Sequence, residues 1–129
     1  MNRAGGNILI VDDEPSLLKM MSVYLGRLGY SVTTVNSTDR AWQAVEAGPT
    51  AFAVVVLDAT MPGMSMEELA TRLLGVNPTL CVLAASGYPV DMTSLEAVAP
   101  GRVMFLHKPF SPEMLVAAVR RMLAPQEEI

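Results

Sequence analysis

One cysteine, one histidine and nine basic residues in a chain of 129 remove several function classes before any motif is considered. Cys81 alone supports neither a disulfide framework nor a cysteine-based zinc site, and it suits a reducing compartment. Nine Lys and Arg against thirteen Asp and Glu leave a net charge of -4 and a pI near 4.8. That gives no electrostatic footing on phosphate backbones or anionic lipid, so direct nucleic-acid binding would need another domain. No apolar run approaches the length of a membrane span. Met1 to Asn7 carries one Arg, and the apolar run that follows it before the acids is only four residues long, too short for a signal-peptide core. A cytoplasmic chain with no membrane partner is expected. No Walker-type glycine-rich loop precedes Lys19 or Lys108, so direct use of ATP is not indicated.

What is there is apolar and periodic. With 51% hydrophobic and 17% charged residues, the chain fits one domain over 1–129, with its core over about 7–123. Short solvated tails are expected at Met1 to Gly6 and Pro125 to Ile129. Strand-like runs fall at Ile8 to Val11, Val32 to Val35, Ala53 to Leu57, Leu80 to Ala85 and Arg102 to Leu106. Helical periods alternate with them. Pro15 suits a first turn, and Leu17, Leu18, Met21, Leu25 and Leu28 share a face before Gly29. Thr38 to Ala47 places Ala41, Ala44 and Val45 inside. Ser65 and Glu68 have capping-box spacing ahead of a stripe of Met66, Leu69, Ala70, Leu73 and Leu74. Asp91 to Ala99 is the shortest helical segment, and Ser111 opens the last helix, with Leu115, Ala118, Val119, Met122 and Leu123 inward. Five strands alternating with five helices predict a doubly wound α/β fold with a five-stranded parallel sheet. Ser31 to Val35, the most polar strand, suits an edge.

Three apolar runs end in charge: Ile8 to Val11 at Asp12 and Asp13, Val54 to Leu57 at Asp58, and Val103 to Leu106 at His107 and Lys108. In a parallel sheet these ends converge at one edge, where ligands of doubly wound sheets bind. Two carboxylates about 5 Å apart repel by roughly 3 kcal/mol at an effective dielectric near 20, so three in one cleft require a cation. Oxygen donors favour Mg2+ or Mn2+ over zinc or copper. With the ammonium of Lys108, such a site can accept a phosphoryl group, a carboxylate acting as nucleophile to form an acyl phosphate. Each element has a plainer reading: Asp12, Asp13 and Glu14 as charges favoured at a helix N-terminus, Asp58 as a turn residue, Lys108 as a solvated lysine. Their joint occurrence at strand ends, in this order, favours a site.

These residues resemble the receiver domain of bacterial two-component response regulators, including the chemotaxis receiver, from Ile8 to about Leu123. An acidic pair ends the first strand of that family, matching Asp12 and Asp13, and the phosphoacceptor ends the third, matching Asp58 ahead of Met61, Pro62 and Gly63. Ser86 matches the Ser or Thr ending the fourth strand, and Lys108 and Pro109 match the Lys-Pro after the fifth, with Phe110 next. The resemblance implies the flavodoxin-like sheet order 2-1-3-4-5. It also implies phosphoryl transfer to Asp58 from a histidine kinase or a histidine phosphotransfer protein. Mg2+ would be held by Asp13, Asp58 and the backbone carbonyl of Thr60, and through water by Asp12. Ser86 and Lys108 would bind phosphoryl oxygens, and Phe105 would change rotamer as Ser86 moves. The response would be read by a downstream protein or a fused output domain, at the face built from Asp91 to Ala99, Arg102 to Leu106 and Ser111 to Leu123, which carries Arg120 and Arg121. The chain would be a signalling phosphoacceptor, not an enzyme acting on other substrates.

Other positions tune or depart from that pattern. Met66 stands where the family often has Gly, and Thr60 and Tyr88 stand where side chains can screen the acyl phosphate. His107 reads as a solvated surface residue, the methionines as core filling, and Trp42 and Phe52 as packed on the sheet. Two rival readings are a receiver fold acting as an interaction module without phosphorylation, and an aspartyl-nucleophile phosphatase. The complete set of Asp12, Asp13, Asp58, Ser86 and Lys108 speaks against the first, and Thr60 in place of a second acid against the other.

Overall fold

A computed structural model describes residues 6–123. Five strands alternate with five helices: β1 (Asn7–Val11), α1 (Pro15–Arg27), β2 (Ser31–Val35), α2 (Thr38–Ala47), β3 (Val54–Asp58), α3 (Met66–Val76), β4 (Cys81–Ser86), α4 (Thr93–Val98), β5 (Val103–His107) and α5 (Pro112–Leu123). The strands form one sheet in the order β2-β1-β3-β4-β5, all neighbours parallel. This is the doubly wound architecture expected from the alternation. Most of the expected tail residues lie outside the described ones. Gly6 is described, and its carbonyl accepts a hydrogen bond from the Ser31 amide at 3.2 Å, so pairing of the first two strands begins one residue earlier than expected.

Two apolar layers cover the sheet because successive strand side chains point to opposite faces. Leu9, Val11, Val55, Leu57, Val82 and Ala84 join Leu69, Leu73 and Leu95 from α3 and α4 on one face. On the other, Ile8, Ile10, Val54, Val56 and Leu83 pack with Met21 and Leu25 of α1 and Leu115 and Val119 of α5. Every residue of β3 and β4 is buried, whereas β2, at the edge, has three exposed and two half-buried residues and none buried. The polarity of Ser31 to Val35 therefore reports its position.

Helix boundaries follow local chemistry. Ser37 and Ser65 cap α2 and α3, their hydroxyls accepting from the Arg40 and Glu68 amides at 3.1 Å each. Leu28, expected on the buried face of the first helix, is instead its C-cap and 41% exposed. Gly29 turns the chain there with a φ of 98°, so the helical period ends before it can bring Leu28 inward. α4 covers only Thr93–Val98 of the expected Asp91 to Ala99, because Asp91 is used to accept from the Thr93 amide at 2.9 Å, and Gly101 reverses the chain at a φ of 76°. Trp42 packs at the margin of the core, with the Arg72 guanidinium 5.8 Å from its ring centroid.

At the end of the sheet away from the charged strand ends, Arg102 donates to the carbonyls of Leu80 at 2.9 Å, Leu74 at 3.3 Å and Asn77 at 2.6 Å. It thereby satisfies carbonyls left free where α3 ends. The same end buries Asn77, whose side-chain oxygen accepts from the amide and hydroxyl of Thr79. The first residues of β4 and β5 are thus pinned, and the variable chemistry is left to their far ends.

Candidate functional site

The carboxyl ends of β1, β3 and β5 meet as the sheet order requires. Asp12 directly follows β1, Asp58 is the last residue of β3, and Lys108 directly follows β5. Asp12 and Asp58 are 2% and 5% exposed, while Asp13 is open to solvent. One carboxylate oxygen from each of the three lies within 4.8 Å of the others, the one such group of potential metal ligands among the described residues. Lys108 closes the group from the other side, its Nζ 2.9 Å from Asp12 Oδ2 and 3.5 Å from Asp58 Oδ2.

Backbone groups fix the carboxylates. The Glu14 amide donates to Asp12 Oδ1 at 2.9 Å. Thr60 donates twice to Asp58 Oδ1, from its amide at 3.0 Å and its hydroxyl at 2.9 Å. Asp58 Oδ1 is therefore occupied, and Oδ2 faces the ammonium. Gly63 shapes the loop after Asp58: its φ is 96°, and a Cβ there would lie 2.9 Å from Thr38 Oγ1. Burial lowers the Lys108 pKa, but the hydrogen bond and charge of Asp12, and then Asp58, outweigh it, so the net shift is upward. The lysine is held as a cation by the acids it faces.

Ser86 ends β4, and its buried hydroxyl accepts from the Tyr88 amide at 3.0 Å. Its carbonyl accepts from the Lys108 amide at 2.8 Å, joining the ends of β4 and β5. Phe105 lies two residues before His107 on β5, half-buried against the layer that includes Leu95 and Ala99. Thr60 and Tyr88 are exposed, Tyr88 at 72%. A hollow of about 400 Å³ opens beside the lysine, lined by Glu14, Leu17, Gly87, Lys108, Pro109 and Phe110. A larger one of about 750 Å³ lies along α4, away from the carboxylates.

The structure thus brings Asp12, Asp13, Asp58, Thr60 and Lys108 together, with Ser86 one strand away and Phe105 behind it. Sequence reasoning missed two features. One is the double hold of Thr60 on Asp58, which the Asp-x-Thr spacing suggests through side-chain bonding two residues along the backbone. The other is the pairing of Lys108 with Asp12, 96 residues apart, for which no local signal exists.

Three close oxygen donors without sulfur or imidazole suit a hard divalent cation. Fold and donor set define a doubly wound α/β protein with a cluster of three carboxylates at the carboxyl edge of its sheet. The chain belongs to the response regulator receiver domain family, whose model matches residues 8–120. It is 34% identical over 124 residues to the phosphate regulon transcriptional regulatory protein PhoB of Pseudomonas aeruginosa, covering 92% of this chain and 52% of that protein. It is 28% identical to the response regulator receiver protein CpdR of Brucella abortus, covering 90% of this chain and 95% of that one. Among solved structures, chemotaxis protein CheY4 of Vibrio cholerae matches with a TM-score of 0.79 at 28% identity, covering 93% of this chain and 100% of that chain. The chain spans 24% to 53% of the length of the transcriptional regulators that it matches first.

Proposed function

We propose that this receiver domain accepts a phosphoryl group on Asp58 from a histidine kinase or a histidine phosphotransfer protein. The observation that carries the reading is the setting of Asp58 Oδ2: buried, beside two further carboxylates, and 3.5 Å from Lys108 Nζ while Oδ1 is held by Thr60. Oδ2 attacks phosphorus, a new O–P bond forms, and the P–N bond of the donor phosphohistidine breaks. The bond's electron pair leaves with the imidazole, which takes up a proton. Lys108 balances charge on the transferred oxygens, as a positioned ammonium does in phosphoryl transfer generally. Asp13, Asp58 and the Thr60 carbonyl would hold Mg2+ or Mn2+, with Asp12 acting through water. When bound, the ion would neutralise the acidic trio and the phosphoryl oxygens.

The output follows from charge. An acyl phosphate adds about 1.5 to 2 negative charges and three acceptors, drawing Lys108 and the Ser86 hydroxyl from their present partners. Phe105 responds to Ser86, and the face of α4, β5 and α5 carries the change to a downstream protein or fused output domain. That face exposes Val98, Met114, Arg120 and Arg121. The chain turns over only its own phosphoryl group. Among the described residues no helix is long and apolar enough to cross a membrane, and we assign the domain to the cytoplasm on family grounds.

Incubation with Mg2+ and a small acyl-phosphate donor, read by intact mass, tests this reading. Wild type should gain one phosphoryl group and Asp58→Asn none. Equal gain by both, or none by wild type, refutes it.

A further inference from the structure

We propose that His107 is a positioning residue of the switch, coupling Ser86 to Phe105; this rests on the phosphoacceptor reading. β4 and β5 are parallel, with Ser86 in register with His107 and Ala84 with Phe105. Registered residues on neighbouring strands share a face, and so do residues two apart on one strand. These four side chains therefore form one patch, with two rings from β5 beside two small residues of β4. Within it the Phe105 and His107 rings meet edge to face, centroids 6.2 Å apart and planes at 73°. His107 is the cross-strand neighbour of Ser86 and the ring neighbour of Phe105.

The consequence is mechanical. While the Ser86 hydroxyl accepts from the Tyr88 amide, the imidazole of His107 is a lateral support for the Phe105 ring in its resting orientation. When that hydroxyl leaves for a phosphoryl oxygen, space changes beside His107 first, because His107 and not Phe105 is in register with Ser86. β5 is an edge strand with one neighbour, and His107 is exposed, so its ring can tilt without displacing core. Phe105 loses its edge-to-face partner as the tilt occurs. An aromatic pair of this kind biases an equilibrium by about 2- to 10-fold. By linkage, a resting state weakened by that factor makes a ligand selective for the switched state bind more tightly by up to the same factor.

The test uses beryllofluoride with saturating Mg2+ as the phosphoryl mimic. The DrrB receiver domain, to which this chain is 31% identical, has been solved in a BeF3-activated form. Apparent affinity is read by fluorine NMR of fluorophenylalanine-labelled protein, the Phe105 resonance being assigned with Phe105→Leu. His107→Ala and His107→Gln, which lack an aromatic ring, should bind beryllofluoride about 2- to 10-fold more tightly than wild type. His107→Phe, which restores a ring edge, should match wild type. Unchanged or weaker affinity in both ringless variants overturns the proposal, as does a phenylalanine variant that behaves like alanine. Phosphoryl uptake by wild type, measured as added mass, separates the two levels: uptake with unaltered variant affinities sinks the His107 role alone. Absence of uptake sinks the phosphoacceptor reading and this role with it.

Discussion

Removing one charge from the carboxylate trio should stabilise the protein when divalent ions are absent. Asp58→Asn keeps the side chain's shape and its oxygen for the two hydrogen bonds from Thr60. At an effective dielectric of about 20, each acidic neighbour at the 4.8 Å limit repels Asp58 by about 3.5 kcal/mol, and Lys108 at 3.5 Å attracts it by about 4.7 kcal/mol. The two repulsions exceed the attraction by about 2 kcal/mol. Water around exposed Asp13 weakens one repulsion, while relief from burying the Asp58 charge acts in the opposite sense, so the expected gain is about 1 to 3 kcal/mol.

For a chain of this length about 1 kcal/mol moves the melting temperature by about 4 °C. Thermal unfolding followed by circular dichroism in EDTA should therefore place the variant about 4 to 12 °C above wild type. Mg2+ narrows the advantage. At free Mg2+ about 100 times its Kd, wild type gains about 2.7 kcal/mol, whereas the variant has lost a charged ligand and gains less. A variant no more stable than wild type in EDTA would show that the acids do not repel as their spacing requires. An equal Mg2+ response in both proteins would remove Asp58 from the metal site.

Two further perturbations separate scaffold from site. Arg102→Met removes all three bonds to the carbonyls of Leu74, Asn77 and Leu80 and should cost about 2 to 4 kcal/mol in urea unfolding. Phosphoryl uptake in folded variant should be unchanged, and a loss of uptake without loss of stability would contradict the division of labour between the two sheet ends. Lys108→Met addresses linkage. The folded-state pKa of Lys108 is raised above 10.5, so its contribution is fully present below that pH and is lost as pH rises through the folded value. Wild-type stability relative to the variant should therefore fall above about pH 10.5, measured by urea titration at successive pH values. A constant difference across that window would mean the lysine is not held by Asp12 and Asp58.

The fold was legible because the sequence's two periods do not compete. The all-buried strands read as short aliphatic runs, and the stripe from Met66 to Leu74 is buried as its spacing predicts. Leu28 shows the limit: periodicity continues formally to it, but Gly29 leaves the helical path and exposes its neighbour. Arg102 shows another. It stands at the start of a strand-like run, and nothing local shows that its guanidinium reaches back to α3 and the start of β4.

At the candidate site, the placement of charged residues at the strand ends was legible and their pairing was not. A charged residue closing an apolar run has to lie at a strand end, so Asp12, Asp58 and Lys108 could be named without coordinates. Which acid the lysine meets depends on β1, β3 and β5 converging in space, and the closer contact is to Asp12 rather than Asp58. The same holds for Ser86, whose hydroxyl takes the Tyr88 amide because that partner lies two residues away. Both groups expected to meet a phosphoryl oxygen are thus already engaged, Lys108 by a carboxylate and Ser86 by a backbone amide. A phosphoryl group gains their contacts only by breaking existing ones. On the proposed reading, that exchange of partners, rather than the acidic cluster alone, would let charge added at Asp58 be felt on β4 and β5.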